Sequence, residues 1–227
     1  MFPEKFMDPE DTLIITGNYG SGKTEISLNL AFQAAGKDLD VALVDLDVIN
    51  PYFRSREKDD ELQQAGIDII FPGELKEADL PVISPKIKRA LVNENCLAIF
   101  DVGGDKEGAV TLSSVVDHLD EEAYEKWLIV NPFRPRTNTP EKIVQTARRI
   151  SEQSDLDFTG IVANIHLGEE TETSIIEKKF PALKKAASRL DVEIKFLAAV
   201  REIASQLKEE KYPCPILPLK LYLNPPW

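Results

Sequence analysis

Cysteine and histidine are scarce in this chain. Its 227 residues include two cysteines, Cys96 and Cys214, and two histidines, His118 and His166. So few cysteines do not make a disulfide framework, and a cytosolic chain is the simplest reading. The histidines are far apart and the cysteines isolated, so no zinc-ligand spacing arises. No nucleophile elbow occurs, which leaves a Ser–His–Asp hydrolase without support. Long apolar runs are missing too: none approaches the ~20 residues of a membrane-spanning helix. The opening "MFPEKFMDPEDT" is acidic and broken by prolines, so it is not expected to be a signal peptide. Positive charge is in deficit, with 27 Lys and Arg against 39 Asp and Glu and a formal net charge of -12. That balance argues against a broad electrostatic grip on nucleic acid or an anionic membrane, and leaves room for a local basic site.

What is present is an alternation of apolar, β-rich runs with helical stretches. Strands are predicted at Thr12–Thr16, Val41–Leu46, Ile67–Phe71, Cys96–Phe100, Trp127–Asn131, Phe158–Asn164 and Glu193–Ala198. Several are apolar throughout, as strands covered on both faces should be. Helices are predicted over about Gly22–Ala35, Glu57–Gln64, Pro85–Asn93, Glu107–Leu119, Pro140–Ser151, Ser174–Arg189 and Arg201–Glu209. Strand and helix in repeated alternation give an α/β fold, a doubly wound and mostly parallel sheet with helices on both faces. Residues 1–227 read as one domain, since no low-complexity linker or repeat divides them. The tail, residues 211–227, is proline-rich and apolar and should pack as an extended segment. Cys96 reads as a small core residue and Trp127 as a residue at a strand edge. The acidic run "EKDDE" at 57–61 reads as a solvated helix face.

The densest signal is "IITGNYGSGKTE" at residues 14–25. It satisfies G-x-x-x-x-G-K-[ST] between a predicted strand and a predicted helix, the context that motif requires. Gly17, Gly20 and Gly22 let the backbone curl so that the N–H groups of Asn18, Tyr19, Gly20 and Ser21 can face phosphate oxygens. The following helix adds further N–H groups and the positive end of its dipole. Lys23 supplies charge near the β- and γ-phosphates, and Thr24 a hydroxyl for Mg²⁺. The bland alternative is a chance glycine turn.

Two acidic stretches follow. "VALVDLDVINPYF" ends a strand in Asp45-Leu46-Asp47, with both acids on one side near the carboxyl edge of the sheet. "LAIFDVGGDKEG" ends a strand in Asp101, with Gly104 three residues on. An acid so placed commonly holds Mg²⁺ through water, and the glycine N–H can sense a γ-phosphate. Helix or turn capping is the alternative reading of Asp45 and Asp47.

Together "GNYGSGKT", "VDLD" and "FDVGG" resemble the MinD/ParA-type nucleotide-binding family, which includes CobQ/CobB-like enzymes and the nitrogenase iron protein. The resemblance implies that Asp47, with Asp45, positions an attacking water. It also implies Mg²⁺ held at Thr24, Asp101 and Asp47, and a switch at Gly104. Many members read K-G-G-x-G-K-[ST], with a signature lysine that reaches across a homodimer to the partner's nucleotide. Here that position is Asn18, and Tyr19 replaces the next glycine. Asn18 can hydrogen-bond phosphate but brings no charge. Either the dimer is absent or the charge comes from elsewhere.

Two segments offer replacements. "NPYFRSRE" contains Arg54 and Arg56, and "NPFRPRTNTPE" contains Arg134 and Arg136. Each follows a predicted parallel strand, so each should emerge on the rim that bears the phosphate loop. Arginine's fork suits phosphate or carboxylate. These arginines are expected to line a second anionic site or supply the missing charge; solvated arginines paired with the abundant acids are the alternative. For the base, "IVANIHLG" lacks the N-K-x-D pattern of guanine sites, because Ile165 and Leu167 replace its lysine and acid. In the resembling family an Asn at this strand end contacts adenine, which Asn164 fits, and Pro215 to Pro218 are placed to close the other side. The expected cofactors are ATP and Mg²⁺. Three functions stay open: an ATPase switch with an unknown protein partner, a carboxylate-activating enzyme of the CobQ/CobB or dethiobiotin synthetase kind, and a non-catalytic nucleotide sensor.

Overall fold

The computed structural model describes residues 12–37, 39–46, 59–70, 85–93, 95–116, 119 and 124–223. Eight strands form one sheet: β1 (Thr12–Gly17), β2 (Asp40–Asp45), β3 (Ile67–Ile70), β4 (Cys96–Gly103), β5 (Tyr124–Val130), β6 (Gly160–Asn164), β7 (Glu193–Val200) and β8 (Ile216–Leu219). Their order is β3-β2-β4-β1-β5-β6-β7-β8. Every pairing is parallel. All carboxyl ends therefore meet at one rim. The helices are α1 (Lys23–Ala35), α2 (Asp59–Gln64), α3 (Pro85–Val92), α4 (Lys106–Val116), α5 (Pro140–Ser154), α6 (Thr173–Leu190) and α7 (Arg201–Ala204).

The apolar strands are covered on both sides, and alternation along β1 shows it. Leu13 and Ile15 pack with Ile26 and Leu30 of α1, Leu62 of α2 and Leu217, Leu219 and Tyr222 of the tail. Ile14 points the other way, into a cluster with Ile87 of α3 and Leu112 and Val115 of α4. Further along that second face, Leu128 and Val130 of β5 meet α5 and α6. Full burial of each such Leu or Ile is worth about 1.5–3 kcal/mol against exposure. Local signals place the helices as well. At α5, Thr139 Oγ1 accepts from the Lys142 N–H and Pro140 fills the first turn.

Four expectations are corrected. The described part of the tail, residues 211–223, packs against the body, but four of its residues form β8, an edge strand beside β7. Pro218 is tolerated there because it is exposed on an edge. Helix α7 stops at Ala204, and a 3-10 turn follows at Glu209–Lys211. Leaving the helix lets Leu207, Tyr212 and Cys214 enter the cluster under α6, where Tyr212 meets Phe180 edge-on at 4.9 Å. Trp127 is fully buried in β5, between β1 and β6, and meets the Phe196 ring at 5.7 Å. Cys96 is only half-buried at the start of β4. No helix among the described residues is long and apolar enough to cross a membrane.

Candidate functional site

The glycine-rich loop leaves the carboxyl end of β1 beside the end of β4, where Gly17 is in register with Gly103. It closes on itself, with the Ser21 N–H donating to the Asn18 carbonyl at 3.0 Å. Gly20 and Gly22 have φ of 72° and 91°, a backbone region that side chains disfavour. Space is tight as well. A Cβ on Gly22 would lie 2.2 Å from Asn164 Nδ2, and one on Gly104 would lie 2.5 Å from the Gly17 carbonyl oxygen. The β4–α4 turn thus rests against the first residue of the loop. Helix α1 begins with Gly22 as N-cap and no side-chain cap, so no capping side chain occupies its first N–H groups. Lys23 and Thr24 are buried at that helix start. Ser21 Oγ is buried within the loop without a hydrogen-bond partner among the described residues. A polar cradle of this kind, with glycines where a Cβ would intrude, fits the phosphate groups of a nucleotide.

Asp45 ends β2 and is in register with Asp101 of β4; both are buried. Parallel partners in register send their side chains to the same face, so the two carboxylates form a neighbouring pair on the rim. The Leu46 N–H donates to the Asp101 carbonyl at 2.8 Å, which holds the two strand ends together. Asp105 caps the turn into α4, its Oδ1 accepting from the Gly108 N–H at 2.8 Å. Asp47, Arg54 and Arg56 lie outside the described residues.

The β5–α5 loop borders the phosphate loop from the other side. Asn131 organises it: Oδ1 accepts from the Phe133 N–H, the carbonyl accepts from Thr137 Oγ1, and Nδ2 donates to the His166 carbonyl. Arg134 Nε donates to the Gly20 carbonyl at 2.8 Å, so this exposed arginine touches the loop directly. Arg136 is exposed nearby, its carbonyl bonded to Thr146 Oγ1. Tyr19 is 67 % exposed at the tip. His166 is held low in pKa by burial and by the Arg134 charge, so it stays neutral at pH 7.

Asn164 sits at the end of β6 with its Nδ2 donating to the Ser21 carbonyl at 2.7 Å. Its amide nitrogen thus supports the loop. Asn164, Ala198 and Leu217 form one register row across β6, β7 and β8. Pro215 precedes that row by two residues, its carbonyl bonded to the Leu197 N–H, which sets it back from the rim. A parallel β8 brings its later residues to the rim instead.

One residue at the site was not foreseen. Arg149 of α5 donates through Nη2 to Asn18 Oδ1 at 3.2 Å and to the Gly104 carbonyl at 3.0 Å. Asn18 Nδ2 in turn contacts Thr146 Oγ1 at 3.5 Å, so α5 grips both ends of that amide. Burial and the Arg136 charge press the Arg149 pKa down, with Asp105 opposing. The sequence signal was Thr146, a polar residue on the otherwise apolar stripe of Ile143, Val144, Ala147 and Ile150, with Arg149 three positions on.

Comparison with known proteins agrees with this fold. Among solved structures, chloroplast FtsY from Physcomitrella patens is 18 % identical with a TM-score of 0.57, covering 82 % of this chain and 57 % of that one. FtsY from Thermotoga maritima is 18 % identical with a TM-score of 0.58, covering 85 % and 62 %. A nucleotide-binding protein from Archaeoglobus fulgidus in complex with ADP is 15 % identical with a TM-score of 0.53, covering 84 % of each chain. The chain thus spans 57 % and 62 % of the two FtsY chains, and at 18 % identity the likeness shows a shared α/β fold alone. No curated protein matches the sequence. Residues 13–208 match the family described as the CobQ/CobB/MinD/ParA nucleotide binding domain. That match spans the loop, both acidic strand ends and α5, and the chain belongs to this nucleotide-binding family.

Proposed function

We propose that this protein is a Mg²⁺-dependent ATPase that works as a nucleotide-dependent switch. The observation that carries the reading is the meeting at one rim of the loop, the Asp45–Asp101 pair and the Gly104 turn. The amides of residues 17–22 and Lys23 would cradle the phosphates. Thr24 and Asp101 would hold Mg²⁺, which neutralises charge that develops on the transferring phosphoryl group. Asp45, with Asp47, would orient the attacking water. Gly104 would report the γ-phosphate, because its backbone already lies against Gly17. ATP is favoured over GTP because Ile165 and Leu167 stand where a guanine site needs a lysine and an acid. Asn164 keeps its side-chain oxygen available to a base while its nitrogen supports the loop. Scarce cysteine supports a cytoplasmic location, and the acid excess supports a protein or a small anion as partner.

A second reading is supported by Arg134 and Arg136, exposed beside the loop. There ATP would activate a carboxylate gripped by these arginines, in the manner of CobQ/CobB-type enzymes. Turnover of ATP measured with no added metabolite separates the two. Hydrolysis with ATP and Mg²⁺ alone supports the switch; hydrolysis that appears only with a carboxylate supports the synthetase; tight binding without turnover supports a sensor. In Lys23→Ala, binding of the triphosphate or its turnover should fall about 100-fold or more, since one charged group aimed at a phosphoryl transfer is worth roughly 10³- to 10⁵-fold. Normal binding and turnover in that variant would overturn the site itself.

A further inference from the structure

The loop of this chain has no lysine beside its first glycine, yet a cation stands there. We propose that Arg149 is a positioning residue that ties the phosphate loop at Asn18 to the turn at Gly104 and so makes the site prefer a triphosphate over a diphosphate. The inference rests on the reading of the loop as an ATP site, and deepens it. One guanidinium nitrogen bonds both elements, Asn18 Oδ1 at 3.2 Å and the Gly104 carbonyl at 3.0 Å. A nitrogen of that group carries two hydrogens, one for each acceptor. The two acceptors belong to the two segments that already meet at the rim, the loop and the Gly104 turn. On that reading the loop would wrap phosphates common to ATP and ADP, whereas the Gly104 turn would meet only the γ-phosphate. With the Gly104 carbonyl fixed, the turn is held against Gly17 before nucleotide arrives, and the ordering entropy of that turn is lost in advance. The arginine comes from the chain's own α5, so a charge supplied in this way needs no second subunit.

The surroundings argue for a built contact. Asn18 is buried, its nitrogen turned to Thr146 and its oxygen to Arg149, so its amide faces α5 and not a neighbouring molecule. Thr146 Oγ1 continues to the Arg136 carbonyl at 3.0 Å, which links the same helix to the arginine-bearing loop. The preceding residue, Arg148, is exposed, about 100° round the helix from Arg149, and provides an internal control.

The test compares wild type, Arg149→Ala, Arg149→Lys and Arg148→Ala with fluorescent ATP and ADP analogues, and measures kcat and KM for ATP with Mg²⁺. Hydrogen bonds to a charged group are worth about 1.5–3 kcal/mol, so Arg149→Ala should lower the ATP-over-ADP preference by about 10-fold or more, lower kcat, and leave ADP affinity within about 2-fold. Arg149→Lys keeps the stem and the charge and should recover part of the preference. It also keeps the test open if the alanine variant folds poorly. Arg148→Ala should match wild type. Asn18→Ala combined with Arg149→Ala should cost less than the sum of the two, because both act through one contact. Equal losses for ATP and ADP, or an unchanged preference and kcat, would overturn the proposal while leaving the ATP site standing. A wild-type protein that binds neither nucleotide would remove the site and this proposal together.

Discussion

At the scale of single residues, glycine decides whether the loop exists. Gly22 combines φ of 91° with a Cβ position 2.2 Å from Asn164 Nδ2. Alanine there adds backbone strain of about 1–2 kcal/mol and pushes on the side chain that holds the Ser21 carbonyl. Gly66 offers the comparison, with φ of 78° and nothing within 4 Å of where a Cβ would stand. We expect Gly66→Ala to lower the denaturation midpoint modestly and leave nucleotide binding intact. Gly22→Ala should lose nucleotide binding as well, measured by titration with a fluorescent ATP analogue. The loop was legible in the sequence because its glycines, Lys23 and Thr24 act through adjacent backbone. Arg149 was not legible, because the target of a long side chain depends on how α5 docks. Asn164 was half legible: its position at the end of β6 followed from the apolar run, but its bond to Ser21 depends on the strand order, in which β5 alone separates β6 from β1.

At the scale of elements, the tail and α1 are held by reciprocal bonds. Asn29 Nδ2 donates to the Lys220 carbonyl and Asn29 Oδ1 accepts from the Lys220 N–H, each at 2.9 Å. Glu25 accepts from the Tyr222 and Leu223 N–H groups, and Phe32 stacks on Tyr222 at 4.5 Å between centroids. Asn29→Ala leaves the two Lys220 backbone groups unanswered at a part-buried site, which should cost about 1 kcal/mol. Amide hydrogen exchange is the measurement: Lys220 and Tyr222 should speed up, with α5 and α6 unchanged. Unaltered exchange in the tail would show that these bonds do not fasten it. Composition disclosed that the tail packs but hid β8, since three prolines in Pro213–Pro218 speak against a strand unless it lies at an edge. The other seven strands were readable from their apolar runs. Trp127 shows the limit of that reading: strand order, which no local pattern encodes, places it in the middle of the sheet.

At the scale of the whole molecule, one buried charge makes stability depend on pH. Lys126 of β5 is fully buried, its Nζ donating to Ser154 Oγ at 2.6 Å and to the Leu156 carbonyl at 2.7 Å. Burial lowers its pKa from 10.5 to about 7, with Asp157 opposing. Between those values the unfolded chain holds a proton that the folded chain has released, so stability rises with pH through this window and falls as pH drops toward 7. One proton sets the slope at no more than about 1.4 kcal/mol per pH unit. Urea denaturation at a series of pH values should show this slope in wild type and a shallower one in Lys126→Met; equal slopes would mean that Lys126 stays protonated. The bonds between α1 and the tail also bear on synthesis. Glu25 and Tyr222 are 197 positions apart, and Asn29 and Lys220 are 191 apart. A ribosome has thus translated past β8 before the helix that begins with Lys23 and Thr24 can complete its packing. Emerging chains should acquire their full nucleotide grip late, once the tail has cleared the exit tunnel.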